Sequence, residues 1–357
     1  MNDITQELKQ LDKDILAFIQ KGVAHDDEKG FNDLAMRAFE LQFNSIPLYR
    51  RYCQRREITP QEVSSWEQIP PLPTDVFKEA VFSLLPDRIA RTFTTSGTSN
   101  IKEQGNVSYD EGGLNLMDAT IRTAASAMLF PDGVRPVILV LAPPPEIAPQ
   151  MVMVYGMNRL IEYFGLPQSR FLIEEIGFDI KSLIDSLRTA EKEGVPVAIC
   201  GGSFGFVNFF DYCHSNGGGF KGRSREVGRG EFLNLCEDIM DVQKDRCVNL
   251  LGMTEISSQY YDNTMKNSGQ EIAKAIPPWT RVLVVDPDSL APLPAGETGL
   301  LRHFDLANRG HICAIQTDDL GKIVPGGFEV YGRARDDGSR GCSLSIDEMT
   351  RIIEEGP

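Results

Sequence analysis

The segment Arg91-Thr92-Phe93-Thr94-Thr95-Ser96-Gly97-Thr98-Ser99-Asn100 joins a β-like run to a cluster of hydroxyls around one glycine. Hydroxyls and exposed backbone N–H groups in such a turn can form a nest for phosphate oxygens. No Gly-Lys-Ser/Thr ending follows, so this is not a Walker A loop. A Ser/Thr run also suits an ordinary turn, and its meaning depends on its companions.

Four companions follow in order. Gly201-Gly202-Ser203 comes after the apolar run Val197–Cys200, a place where backbone can approach a flat ring or a phosphate closely. Leu251-Gly252-Met253-Thr254-Glu255 follows another apolar run, and its Thr and Glu suit a phosphate oxygen and Mg2+. Pro294 to Leu301 reads as a turn entering a strand. Thr317-Asp318-Asp319 offers a carboxylate to ribose hydroxyls, with Gly332-Arg333 further on.

These groups need a scaffold. Ile4, Leu8, Leu11, Ile15 and Phe18 form a stripe that predicts an amphipathic helix over residues 3–21. A second helical pattern runs from about Asp33 to Arg55 and breaks near Pro47; Pro70-Pro71-Leu72-Pro73 excludes helix. Strands are predicted at Val137–Ala142, Val197–Cys200, Cys247–Leu251 and Arg281–Asp286. Helices are expected near 150–164, 179–193, 204–215 and 230–241. Strands separated by helices predict an α/β core with a largely parallel sheet. Turns after residue 281 predict a small β-rich subdomain on that core. The glycine-rich stretch 216–230 carries Lys221, Arg223, Arg225 and Arg229, which suit either a solvated loop or a cover over a phosphate.

Composition narrows the function classes. The chain has 357 residues, enough for one large domain or two ordinary ones, with 41% hydrophobic and 24% charged residues. A formal net charge of -15 argues against nucleic acid as a partner, because phosphate backbones need clustered cations. The seven cysteines lack C-x-x-C spacing, which fits a reducing compartment. The first 21 residues alternate charged and apolar side chains, unlike a signal peptide, and no apolar run approaches the ~20 residues of a membrane span. The expected location is the cytoplasm.

Taken together, these motifs resemble those of the adenylate-forming enzymes, which include acyl-CoA synthetases and phenylacetate-CoA ligase. Their phosphate loop, Thr-Ser-Gly-Thr-Thr-Gly, is similar to Thr95-Ser96-Gly97-Thr98-Ser99-Asn100. Their Gly-x-Thr-Glu resembles Gly252-Met253-Thr254-Glu255, their Thr-Gly-Asp resembles Thr317-Asp318-Asp319, and their Gly-Arg hinge entry resembles Gly332-Arg333. The resemblance implies the α/β fold of the adenylating N-terminal domain, with mixed and parallel sheets, flanking helices and a β-rich subdomain. It implies ATP and Mg2+ as cofactors. Thr94, Thr95, Ser96, Gly97, Thr98, Gly201, Gly202, Ser203 and Gly252 would surround the nucleotide, Asp319 and Arg333 would hold the ribose, Glu255 would hold the metal, and Thr254 would act beside it.

Three departures sharpen the picture. Asn100 stands where the family usually has Gly, and Lys102 sits one residue early. Only Ala334 to Pro357 follow the hinge, without a lysine, so a mobile C-terminal domain of the usual size is truncated. Arg340-Gly341-Cys342-Ser343-Leu344 is similar to the LuxE-type acyl-protein synthetases of bacterial luminescence operons. That subfamily activates a fatty acid as acyl-AMP, moves the acyl group to its own C-terminal cysteine, and passes it to a fatty acyl reductase partner. The resemblance gives Cys342 the acceptor role and divides the chain into an adenylating domain, 1–331, and an acceptor tail, 332–357. Arg333, Arg335 and Arg340 nearby favour a thiolate at Cys342, as cations do. A buried cysteine in a terminal helix or turn is the alternative.

Other readings remain open at this point. Coenzyme A is an alternative acceptor, as in phenylacetate-CoA ligase, and a scaffold that kept the fold without activity is another. Gly201-Gly202-Ser203-Phe204-Gly205 also fits the G-x-S-x-G of a serine hydrolase, with His214, His303 or His311 as base. The substrate is expected to be a carboxylic acid, of the fatty-acid class.

Overall fold

The computed structural model describes residues 2–95, 104–175, 177–215, 229–265, 272–334 and 340–354. Chain contacts divide it into two units. The first comprises Met1–Ala124, Leu250–Asp262 and Glu271–Pro357, and the second Ala125–Asn249 and Asn263–Gln270.

The first unit opens with the helix Asn2–Gln20, which buries Leu8, Leu11, Ile15, Phe18 and Ile19, while Ile4 stays exposed. Each such buried side chain contributes roughly 1.5–3 kcal/mol of transfer free energy. Asp27 caps the helix Glu28–Ser45 through the Gly30 N–H. Ile46 then turns extended, and Pro47 starts the helix Pro47–Arg55 at a position where its missing N–H costs nothing. The core of this unit is a five-stranded sheet in the order Leu72–Pro73, Ala314–Val324, Gly299–Asp305 and Thr280–Val285, with Gly327–Arg333 added to Ala314–Val324. Leu72–Pro73 pairs in parallel and the other pairings are antiparallel. The β-rich segment therefore shares its sheet with a strand from the proline-rich stretch near residue 72.

The second unit holds the parallel α/β element. Val137–Leu141 lies between Arg170–Phe171 and Val197–Gly201, with Leu141 opposite Gly201. All five residues of the central strand are buried, as its unbroken apolar sequence requires of a strand covered on both faces. Helices Val152–Phe164, Ile180–Glu193, Ser203–His214 and Arg229–Met240 follow the expected spans closely. Gly194 ends Ile180–Glu193 with φ +66°, the left-handed cap that glycine adopts without strain.

One strand departs from expectation. Of Cys247–Leu251 only Leu250–Leu251 forms a strand, and it pairs antiparallel with Tyr260–Tyr261 instead of joining the parallel sheet. Tyr260 packs with Val282, Val284, Leu301 and Phe328, and that apolar cluster holds the ribbon in the first unit.

Candidate active site

Two elements of the first unit frame the phosphate-loop motif. Arg91–Thr94 and Asn106–Tyr109 form an antiparallel hairpin that buries Phe93, Val107 and Tyr109. At its open end the Thr95 N–H donates to the Gly105 carbonyl at 2.9 Å, and the Gly105 N–H donates to the Thr95 hydroxyl at 2.8 Å. A side chain at Gly105 would meet the Phe77 backbone at 3.0 Å, so glycine lets the hairpin approach the turn Thr74–Lys78. The feet of the loop are thus fixed. Ser96, Gly97 and Thr98 lie outside the described residues.

Thr254 and Glu255 lie in the connection between the two strands of the short ribbon and lean on that hairpin. The Thr254 hydroxyl donates to the Thr94 carbonyl at 3.4 Å, and Tyr109 Oη donates to the Thr254 carbonyl at 3.4 Å. Asn308 then fixes the turn: its Nδ2 donates to the Glu255 carbonyl at 2.8 Å, while its Oδ1 accepts from the Ser257 N–H and hydroxyl, both at 2.8 Å. Asp305 takes the Ser258 N–H at 2.8 Å and the Ser258 hydroxyl at 2.9 Å. Gly252 has open space where a side chain would stand.

The Glu255 residue is only 8% exposed, and burial pushes its carboxyl up to about 7. Arg333 and Lys78 pull it back down, and Asp75 opposes them. Buried carboxylates are costly without a compensating cation. Among the described residues no three His, Cys, Asp or Glu side chains gather into a metal cluster. A single hard oxygen ligand fits Mg2+, which is commonly held by one or two carboxylates together with substrate phosphates.

Asp319 and Arg333 are cross-strand partners, with Arg333 Nε 3.9 Å from Asp319 Oδ1. Burial raises the Asp319 carboxyl, and Arg333 lowers it. The Arg333 side chain is 78% exposed against 20% for Asp319, so the cation remains available to a ligand. Gly332 sits at φ +112°, a left-handed conformation reached without strain only by glycine, and it leads the strand into Arg333. The first unit thus places Thr94 against Thr254, and Asp319 opposite an Arg333 whose charge reaches Glu255.

Gly201, Gly202 and Ser203 belong to the second unit, at a strand-to-helix turn. Gly201 has φ +156°, and a side chain there would meet the Leu141 carbonyl oxygen at 2.8 Å; one at Gly205 would meet the Leu141 Cβ at 2.7 Å. Close packing on the central strand explains both glycines. Ser203 opens the helix Ser203–His214, whose first N–H groups lack helical acceptors, a site type that suits anions. His214 ends the same helix, about 16 Å along its axis from Ser203, and bonds the Phe210 carbonyl. Burial pushes His303 down to about 3 and His311 to about 4. Neither is disposed to act as a general base near neutral pH.

Cys342 stands in the first turn of the helix Arg340–Glu354, and its side chain lies outside the described residues. Lys221, Arg223 and Arg225 lie outside them as well, while Arg229 begins the helix Arg229–Met240. A cavity of about 410 Å³ in the first unit, walled by residues including Tyr52, Arg56, Arg302 and Gln316, is lined by none of the residues above.

Sequence reasoning missed the supports. Asn308 and Asp305 are fully buried, and so is Arg309, which ion-pairs with Asp12 and, at 2.8 Å, with Asp110. A Cβ at Gly112 would fall 2.2 Å from the Arg309 guanidinium, so that glycine makes room for the pair.

The sequence profile described as "Acyl-protein synthetase, LuxE" matches residues 10–214 and 211–350. The chain belongs to the acyl-protein synthetase, LuxE, family. Two relatives are each named long-chain-fatty-acid–luciferin-component ligase. The one from Vibrio harveyi is 23% identical over 348 residues, covering 90% of this chain and 89% of its own. The one from Aliivibrio fischeri is 22% identical, covering 92% and 90%. Among solved structures, an open conformation of 2-hydroxyisobutyryl-CoA ligase in complex with 2-HIB-AMP and CoA superimposes with TM-score 0.65. It is 15% identical over 87% of this chain and 70% of that one, and shows that the fold is that of the adenylate-forming ligases. Family and fold make this chain an acyl-adenylate-forming ligase. The hydrolase reading of Ser203 gives way to that assignment.

Proposed function

We propose that the chain activates a long-chain fatty acid with ATP and transfers the acyl group to Cys342. The observation that carries the reading is the buried Glu255 carboxyl, beside Thr254 and within reach of the Arg333 charge, on a residue whose backbone carbonyl Asn308 holds. Its family membership and the names of its relatives support a fatty-acid substrate.

In the first half-reaction a substrate carboxylate oxygen attacks the α-phosphorus of ATP, forming acyl-AMP and releasing pyrophosphate. Thr94, Thr95, Ser96, Gly97, Thr98, Thr254 and Gly252 contribute donors and room around the phosphates, and Asp319 with Arg333 holds the ribose. Glu255 would ligate Mg2+, which neutralises phosphate charge when bound. Such transfer relies on positioning and charge neutralisation more than on covalent help from the protein. In the second half-reaction the Cys342 sulfur attacks the acyl carbonyl, a thioester forms, and AMP leaves with the electron pair of the broken C–O bond. A first-turn position favours the thiolate, because the helix N-terminus carries partial positive charge.

Gly201, Gly202 and Ser203 offer a strand-to-helix turn whose backbone N–H groups suit a phosphate. Residues 332–357 serve as the acceptor segment of the adenylating residues 1–331, and the acyl group passes on to a partner protein of the fatty acyl reductase class. Among the described residues no helix is long and apolar enough to cross a membrane, and we place the enzyme in the cytosol with its ATP. The test is labelling with radioactive fatty acid and ATP: Cys342→Ser is expected to carry no hydroxylamine-labile acyl group. Wild-type labelling of that variant would remove Cys342 from the mechanism, and labelling of free coenzyme A alone would make coenzyme A the acceptor.

A further inference from the structure

The helix Arg340–Glu354 packs on the helix Pro47–Arg55, on Leu72–Pro73 and on the turn Thr74–Lys78. Its apolar face buries Met349 and Ile352 completely. Two arginines add polar ties. Arg51 Nη2 donates to the Ile352 carbonyl at 2.9 Å. That carbonyl lies in the last turn, where no helical donor remains and where the dipole favours a cation. Arg56 Nη1 lies 2.5 Å from Glu348 Oε2, and its guanidinium sits 3.7 Å from the centre of the Tyr52 ring. Tyr52 Oη in turn donates to the Pro71 carbonyl at 3.0 Å, so Arg56 is held in place before it meets Glu348.

We infer that Arg51 and Arg56 are positioning residues for acyl transfer, latching the C-terminal helix so that the backbone of Cys342 is held to the adenylating unit. The inference rests on the reading of Cys342 as acceptor. A helix is a rigid lever, and Cys342 precedes Glu348 by about 9 Å along the axis. Fixing Glu348 and Ile352 therefore fixes the acceptor turn. The surface that receives the helix includes Thr74–Lys78, whose Asp75 and Lys78 charges reach Glu255. The latch joins the acceptor segment to an element of the adenylation site without touching nucleotide itself.

The experiment uses the full chain and separates the two half-reactions. ATP–pyrophosphate exchange with palmitate reads the first, and appearance of a hydroxylamine-labile label at Cys342 from synthetic palmitoyl-AMP reads the second. Arg56→Glu sets a carboxylate against Glu348, and like charges in contact destabilise such an interface. Transfer is expected to slow about tenfold in this variant, with exchange unchanged and iodoacetamide modifying Cys342 faster by peptide mass analysis. The charge swap Arg56→Glu with Glu348→Arg is expected to restore transfer to within about twofold of wild type. Transfer at or above the wild-type rate in Arg56→Glu overturns the latch, as does a swap that restores nothing. A parallel loss of exchange and transfer overturns it too, because the arginine would then serve general folding. A Cys342→Ser chain labelled like wild type defeats the acceptor reading itself, whatever the latch variants do.

Discussion

Replacing Glu255 with glutamine should damage the enzyme and stabilise its fold, with the stabilisation growing as pH rises. The carboxyl has an ordinary value of 4.5 and is pushed to about 7 in the folded protein, mainly by burial. Below pH 4.5 it is neutral whether folded or unfolded, and burial of its charge costs nothing. As pH rises from 4.5 through 7 the unfolded chain ionises first, and folded-state stability is lost over that window. Above 7 the full cost remains, about 3 kcal/mol, since each tenfold change in an ionisation constant is about 1.4 kcal/mol. Glutamine keeps the shape and removes the titration. Urea unfolding of both proteins at pH 5 and pH 8 should show the variant's relative stability about 2.5 kcal/mol greater at pH 8. Other titrating groups cancel in the difference. The same variant should lose at least about tenfold in ATP–pyrophosphate exchange, the scale of a lost charge-assisted interaction. Equal stability differences at the two pH values would show that Glu255 does not titrate through burial. Undiminished exchange would remove it from the phosphate and metal chemistry.

Three further perturbations test the surroundings. Asn308→Ala leaves the Glu255 carbonyl and the Ser257 N–H without their partners; it should cost about 2–3 kcal/mol in urea unfolding and also depress pyrophosphate exchange. Asp319→Ala removes the acceptor opposite Arg333; KM for ATP should rise about tenfold or more, with the thermal midpoint within a few degrees of wild type. Arg309→Met leaves Asp12 and Asp110 facing each other without their cation; a loss of about 3–5 kcal/mol is expected by urea unfolding at pH 7, easing at acid pH as the Asp12 carboxyl, raised by burial, takes up a proton.

What the sequence displayed and what it hid differ for a physical reason. The displayed parts are places where backbone geometry demands a residue type. Gly332 at φ +112° and Gly201 against Leu141 leave glycine as the residue without strain, and Thr95 closes the loop foot with its own hydroxyl. Those demands are local, so they survive as short motifs. The helices were legible for a similar reason, because an apolar stripe such as Leu8, Leu11, Ile15 and Phe18 repeats within one element. The pairing of Leu250–Leu251 with Tyr260–Tyr261 was not, since two leucines carry no mark of which neighbour they will meet. Asn308 and Arg309 were hidden more deeply. Leu306-Ala307-Asn308-Arg309-Gly310 has the composition of a surface turn, yet every residue of it is buried. What separates a buried asparagine from a solvated one is its partners, and these lie far off: Glu255 and Ser257 for Asn308, Asp12 and Asp110 for Arg309. Changing Asn308 strands the Glu255 carbonyl and the Ser257 N–H, at a cost of about 1–3 kcal/mol for each orphaned group. Gly252-Met253-Thr254-Glu255 can therefore be a short and unremarkable string. The buried polar groups of residues 305–309 hold its geometry, and the motif itself has only to supply the hydroxyl and the carboxylate.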